Sequence, residues 1–242
     1  MKKQKTTSCS LLKEQALDWV KVNKDKLINK FCNPNTYPSY DNPFSIFMAG
    51  SPGAGKTEFA TTFIEEEEKK NTSMKIVHID ADSIKKEIPM YNGKNSVELH
   101  PASVVGIEKI HDFTLKNDQN FILDGTFANH AISKKNIERS IKKERKVGIF
   151  YIYQDPIASW GFTKIREEKE GRIVPKAVFI NAFIESKKNV SLIKESFNKD
   201  VEVHLIIKNL ESGLRKTYFN INSIDNYIKK KYIIGELNKL IK

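Results

Sequence analysis

Eight residues, Gly50-Ser51-Pro52-Gly53-Ala54-Gly55-Lys56-Thr57, constrain this chain more than any others. They satisfy the spacing G-x-x-x-x-G-K-[ST]. Before them stands an apolar run, residues 44–49, that reads as a buried strand, and after them a helical stretch, residues 58–70. Glycines in such a turn let successive backbone N–H groups point inward around an anion, at the positive end of the following helix. This is the architecture of a phosphate-binding loop. Lys56 is placed to reach β- and γ-phosphates and Thr57 to bind Mg²⁺, so ATP with Mg²⁺ is the expected ligand.

The rest of the chain supplies the sheet that such a loop needs. Apolar positions at three- and four-residue steps across residues 8–31 predict amphipathic helices, followed by an Asn-, Pro-, Tyr- and Asp-rich loop, residues 32–43. Downstream, strands are expected at residues 75–80, 121–124 and 147–153, alternating with helices at 101–116, 134–143 and 157–168. A loop at 171–175, a helix at 176–197, a strand at 201–207 and a last helix near 224–241 complete the pattern. Alternation of this kind implies an α/β fold, a P-loop-type parallel sheet flanked by helices. We expect two units: an N-terminal helical extension with its loop, residues 1–43, and a catalytic domain, residues 44–242.

Composition narrows the partners. The 242 residues carry 41 Lys and Arg against 30 Asp and Glu, a net charge of +11, with 39% hydrophobic and 29% charged residues. That balance excludes a disordered chain, and no apolar stretch approaches the ~18 residues of a membrane span. The lysines fall in pairs and triplets that read as solvated helix faces rather than a nucleic-acid surface. Cys9 and Cys32 lie far apart, and no Cys/His cluster has metal-ligand spacing. The basic start, Met1-Lys2-Lys3-Gln4-Lys5, is followed by Thr6, Thr7, Ser8 and Ser10 rather than an apolar export segment, so a cytoplasmic protein is expected.

Charged residues at strand ends are the candidates for chemistry. Asp124 closes the run Phe121-Ile122-Leu123, where a carboxylate can hold Mg²⁺; alternatively it caps a turn before Gly125. Asp80 and Asp82 follow another strand, at the edge where open α/β sheets bind ligands. A carboxylate there can accept the proton of an attacking hydroxyl. The chain is expected to turn into a loop between the two, and Asp82 could instead cap a short helix starting at Ser83. Arg166 and Arg172 occupy one segment of an arginine-poor chain, suited to closing over a γ-phosphate; Arg166 could equally pair with Glu167, Glu168 or Glu170 on its own helix. His78, His111 and His204 read as packing or surface residues, His100 and His130 lie nearer the acceptor side, and Trp160 and Phe162 read as core or pocket floor.

With these positions assembled, the chain resembles the zeta toxin family of bacterial P-loop kinases, whose characterised members phosphorylate the amino-sugar 3′-hydroxyl of UDP-N-acetylglucosamine. The likeness runs over roughly residues 44–197: the loop Gly50 to Thr57, the run Asp80-Ala81-Asp82-Ser83-Ile84-Lys85, His100-Pro101 followed by Glu108, Asp124-Gly125-Thr126, and Gly171-Arg172-Ile173-Val174-Pro175-Lys176. The resemblance implies that Asp82 is the base, that Lys56, Arg166 and Arg172 serve catalysis, and that Glu108, Thr126 and Asn136 join Asp82 in contacting the substrate. It also implies a sugar-nucleotide acceptor and an antitoxin partner. Two other functions fit the residues: a polynucleotide or RNA kinase, motivated by the +11 charge, and a nucleotide-dependent switch with little turnover.

Overall fold

The computed structural model describes residues 2–209 and 215–242, with side chains from residue 10 onward. Met1 and the Cys9 side chain therefore lie outside the described residues. The chain begins with helices α1 (Lys2–Val22) and α2 (Lys24–Phe31), then enters the alternation β1 (Phe44–Ala49), α3 (Lys56–Lys70), β2 (Ile76–Asp80), α4 (Ala81–Glu87), α5 (His100–Lys116), β3 (Asn120–Asp124) and α6 (His130–Ile141). There follow β4 (Lys146–Tyr153), α7 (Pro156–Glu170), α8 (Lys176–Phe197), β5 (Val201–Lys208), β6 (Arg215–Tyr218) and α9 (Ile234–Leu240).

The sheet order is β2-β3-β1-β4-β5-β6, parallel except for the antiparallel β6 at one edge. The strands alternate between two cores, because successive side chains point to opposite faces. Phe47, Ala49, Ile149, Tyr151 and Leu205 share one core with Ile110, Ile137 and Val190 of α5, α6 and α8. Ile46, Met48, Phe150 and Ile206 face the other way onto Phe59 and Ala60 of α3. Burial on both faces explains why these strands are continuous apolar runs rather than alternating ones.

β1 lies between β3 and β4, so the chain leaves it toward β2 and β3 and then crosses to the opposite side for β4 and β5. That reversal opens a crevice at the carboxyl ends of the strands. In register, Asp80 of β2 stands beside Asp124 of β3 at that edge.

The N-terminal helices are packed onto the sheet domain. Ala16, Val20 and Leu27 form a cluster with Ile88, Leu99 and Ala102, and buried Cys32 belongs to the larger core. Gly106 of α5 permits close approach to α4, since a Cβ there would lie 2.7 Å from Ile84 Cγ2. The C-terminus differs from expectation: instead of one helix over residues 224–241, a single 3-10 turn, Ile224–Asn226, is followed by an irregular stretch and the short α9. Tyr232, Leu237 and Ile241 insert one by one among Trp160, Phe179 and Phe183, so each is held by α7 and α8 rather than by a helical stripe. No helix among the described residues is long and apolar enough to cross a membrane.

Candidate active site

The loop at residues 50–57 leaves β1 and bends directly into α3, so the helix's free N–H groups face the crevice. Gly53 has φ +74°, and a Cβ on it would run into the Ser159 carbonyl of α7, so only glycine fits. Lys56 is 9% exposed and its Nζ donates to the Ser51 carbonyl at 2.8 Å, which curls the side chain over the loop. Burial pushes this ammonium down to about 8; Asp124 opposes the shift, and Arg172 and Arg166 add to it. Four positive groups gathered at one loop favour a highly charged anionic ligand. The fourth is Lys208 at the end of β5, whose Nζ donates to the Gly55 carbonyl at 3.2 Å.

Beside the loop, Thr57 Oγ1 donates to Asp124 Oδ2 at 2.6 Å, so Asp124 is tied to α3 rather than capping a turn. His78 Nε2 stands 3.6 Å from the same oxygen. Burial would raise the Asp124 carboxyl, but the His78 imidazole, the Lys56 ammonium and the Thr57 hydroxyl outweigh it and hold the carboxyl below its ordinary value. An ionised carboxylate next to a hydroxyl is a hard, all-oxygen donor pair. Among the described residues no group of three or more His, Cys, Asp and Glu could hold a metal ion. Two protein oxygens completed by phosphate and water suit Mg²⁺, which is reluctant to shed its water shell.

At the end of β2, the expected loop between Asp80 and Asp82 is replaced by helix. α4 begins at Ala81, and the capping residue is Asp80, not Asp82: its Oδ2 accepts from Ser83 N at 2.8 Å and Ser83 Oγ at 2.9 Å. The helix won because Asp80, in extended conformation, satisfies its free N–H groups. Asp80 is thereby occupied, and Asp82, one residue inside the helix, faces the cleft. Asp82 Oδ2 is ion-paired with Arg172, and Oδ1 lies 3.3 Å from Lys85 Nζ. Lys85 is buried at 4% exposure and also donates to Ser96 Oγ at 2.9 Å.

One cleft of about 1050 Å³ collects these groups. Lys56, Thr57 and Asp124 line it together with Asp82, Glu108, Thr126, Asn136, Arg166 and Arg172. Residues 52–57 face the cleft, whereas Gly50 and Ser51 lie behind it. Arg166 does have a helix neighbour, Glu170, but at 4.0 Å from Nε, and it lines the cleft as well. Phe162 and Ile165 of α7 supply apolar wall, while Trp160 turns into the core. Just before Arg172 in the chain, Gly93 abuts the Glu170 carbonyl and Gly171 abuts Lys94, so the loop before α5 meets the end of α7.

Sequence reasoning assigned no role to Lys85 or Lys208 and read His78 as a packing or surface residue, whereas its imidazole stands beside Asp124. Lys85 had one usable signal, its three-residue step from Asp82 on a helix face. Lys208 ends a strand at the ligand-binding edge, and His78 lies two residues before Asp80, on the same side of β2.

The family model described as Zeta toxin matches residues 29–218. The chain belongs to the zeta toxin family. No curated protein matches the sequence. Among solved structures, a protein from the PezAT chromosomal toxin–antitoxin system of the human pathogen Streptococcus pneumoniae is similar over 91% of this chain and 90% of its own, at 21% identity and TM-score 0.64. The AvrRxo1-ORF1:-ORF2 structure with ATP is similar over 90% of this chain and 70% of its own, at 16% identity and TM-score 0.60. The native AvrRxo1-ORF1:-ORF2 complex covers 98% of this chain and 79% of its own, at 17% identity and TM-score 0.60. At these identities the likeness is one of fold: this zeta toxin family member has a P-loop kinase fold consistent with ATP-dependent phosphotransfer.

Proposed function

We propose that this zeta toxin family protein transfers the γ-phosphoryl group of ATP to the hydroxyl of a small-molecule acceptor, with the 3′-hydroxyl of the amino sugar in UDP-N-acetylglucosamine as the leading candidate. The observation that carries the reading is that Asp82, the phosphate loop, Arg166 and Arg172 line one cleft, with Arg172 ion-paired to Asp82. Backbone N–H groups of the loop and Lys56 hold the phosphates, and Thr57 and Asp124 are the groups that would hold Mg²⁺. The metal, when bound, neutralises charge on the phosphate oxygens.

Asp82 accepts the proton of the attacking hydroxyl as the new P–O bond forms and the bond to the β-phosphate oxygen breaks, leaving ADP. Arg166 and Arg172 stabilise the charge on the transferring group and shut out water, which would otherwise compete as acceptor. Glu108, Thr126 and Asn136 orient the acceptor from α5, the end of β3 and α6. An antitoxin partner is part of this reading, given the toxin–antitoxin setting of the Streptococcus pneumoniae relative.

The test is mass spectrometry of the protein incubated with ATP, Mg²⁺ and UDP-N-acetylglucosamine, beside Asp82→Asn. Phosphorylated sugar nucleotide formed by the unaltered protein alone supports the reading. Full turnover by Asp82→Asn rejects Asp82 as the base, and ATP binding without sugar-nucleotide product rejects the acceptor.

A further inference from the structure

Asp82 has a second charged partner, and the two partners differ in kind. Arg172 comes from the irregular stretch between α7 and α8, its side chain about a quarter exposed, and it is one of the two arginines assigned to the phosphoryl group. Lys85 comes from the same short helix as Asp82, is nearly inaccessible, and is anchored on its far side by the Ser96 hydroxyl, which accepts from Nζ at 2.9 Å. The two cations also take different oxygens of the carboxylate, Arg172 taking Oδ2 and Lys85 taking Oδ1.

Arg172 has one positive charge, and a γ-phosphate competes with Asp82 for it. Drawing it toward the nucleotide would strip the half-buried carboxylate of a partner, and an uncompensated charge in such a place is costly. We infer that Lys85 is a positioning residue for Asp82: it secures Oδ1 from inside the fold, so that Arg172 can leave for the phosphoryl group and Oδ2 is freed toward the acceptor hydroxyl. This rests on the reading of Asp82 as base and Arg172 as phosphate ligand.

Burial pushes the Lys85 ammonium below its ordinary value and Asp82 opposes that shift, so the buried cation is held by its carboxylate partner. His100, also at the cleft, is lowered by burial and by Lys85, and so adds no second cation there at neutral pH. Lys85 is then the permanent member of the pair and Arg172 the exchangeable one.

The consequence can be read in nucleotide binding, without knowledge of the acceptor. ATP carries the γ-phosphate that calls Arg172 away, and ADP does not. Calorimetric titration of Lys85→Met with each nucleotide and Mg²⁺ is expected to weaken ATP by about tenfold while ADP changes less than about twofold, a coupling typical of charges in contact. In an Asp82→Asn background the same substitution is expected to leave the ATP-to-ADP ratio unchanged, because no carboxylate remains to be compensated. Lys85→Arg is expected to restore most of the ATP affinity.

Equal loss of ATP and ADP would overturn the inference by making Lys85 a support of the fold. Persistence of the ATP effect in Asp82→Asn would overturn it by making Lys85 a direct phosphate attractor, and an unaltered ATP affinity would overturn it outright. Failure of Asp82 as base appears elsewhere, as turnover retained by Asp82→Asn.

Discussion

Gly106→Ala tests how tightly the helix bearing Asp82 is fitted. The new methyl would sit 2.7 Å from Ile84 Cγ2 and 3.7 Å from Ile84 Cδ1 and Leu27 Cδ1. Carbon atoms settle at about 3.5–4.0 Å, so α4 must retreat by roughly 0.8 Å. Ile84 has little freedom to yield, being wholly buried and β-branched. Overpacking of this kind costs about 1–3 kcal/mol, while replacing a mid-helix glycine returns about 1 kcal/mol, for a net loss of up to about 2 kcal/mol. The larger effect falls on turnover. Asp82 and Lys85 ride on α4, and misplacing a reacting group by about 1 Å can cost ~100-fold.

Urea unfolding followed by far-UV circular dichroism reads the stability, and steady-state phosphotransfer reads kcat. The phosphate loop stands on β1 and α3, so ATP affinity should change little. Ile84→Leu removes the offending Cγ2, and the double variant should recover at least about 0.5 kcal/mol relative to additivity, together with part of kcat. A Gly106→Ala protein that is more stable than the parent and turns over at the same rate would refute the fit.

Other substitutions probe separate parts of the fold. His111 is packed edge-on against Phe47 and Phe121, and burial, with Arg139 and Arg145, lowers it to about 3. Its folded value lies below its unfolded value of about 6.5, so the unfolded chain takes the proton first and stability falls as pH drops through 6.5 toward 3. The loss between pH 7 and pH 5 should be about 2 kcal/mol from this residue, and urea titrations of His111→Phe should lack that component. Arg145, 4% exposed, donates to Ser45 Oγ and the Phe44 carbonyl at 2.7 Å each and to the Gln119 carbonyl, tying the starts of β1 and β3 to β4. Arg145→Met should cost about 3 kcal/mol in urea unfolding, with Arg145→Lys regaining less than half, and an unchanged midpoint would contradict the stapling role. The Cys32 thiol, fully buried and pushed up to about 12, should resist Ellman's reagent in a Cys9→Ser background until urea unfolds the chain.

What could be read from the sequence follows from where burial is two-sided. β1, β3 and β4 are covered on both faces and so announce themselves as apolar runs, and the loop after β1 is fixed by its glycines. β6 was illegible because an edge strand reading Arg-Lys-Thr-Tyr buries little and carries charge. α4 was legible only as the alternative of a short helix from Ser83, because seven residues give two turns, too few for a period, and its true start is marked only by the Asp80 cap. The C-terminal stretch misled in the opposite direction: its apolar residues fall at helical steps, yet each fills a separate gap beside α7 and α8. Lys85 shows the limit most directly. Forty other basic residues share its charge, and burial against Asp82 exists only once α4 is docked on α5.

The seam between the loop before α5 and the end of α7 is closed by backbone. Gly93 meets the Glu170 carbonyl and Gly171 meets Lys94, and neither glycine offers a side chain to interlock. Arg172 follows Gly171 directly, so a shift of this seam is passed within one residue to the guanidinium that pairs with Asp82. A substituent at either glycine would therefore act on the charges of the cleft without lining it.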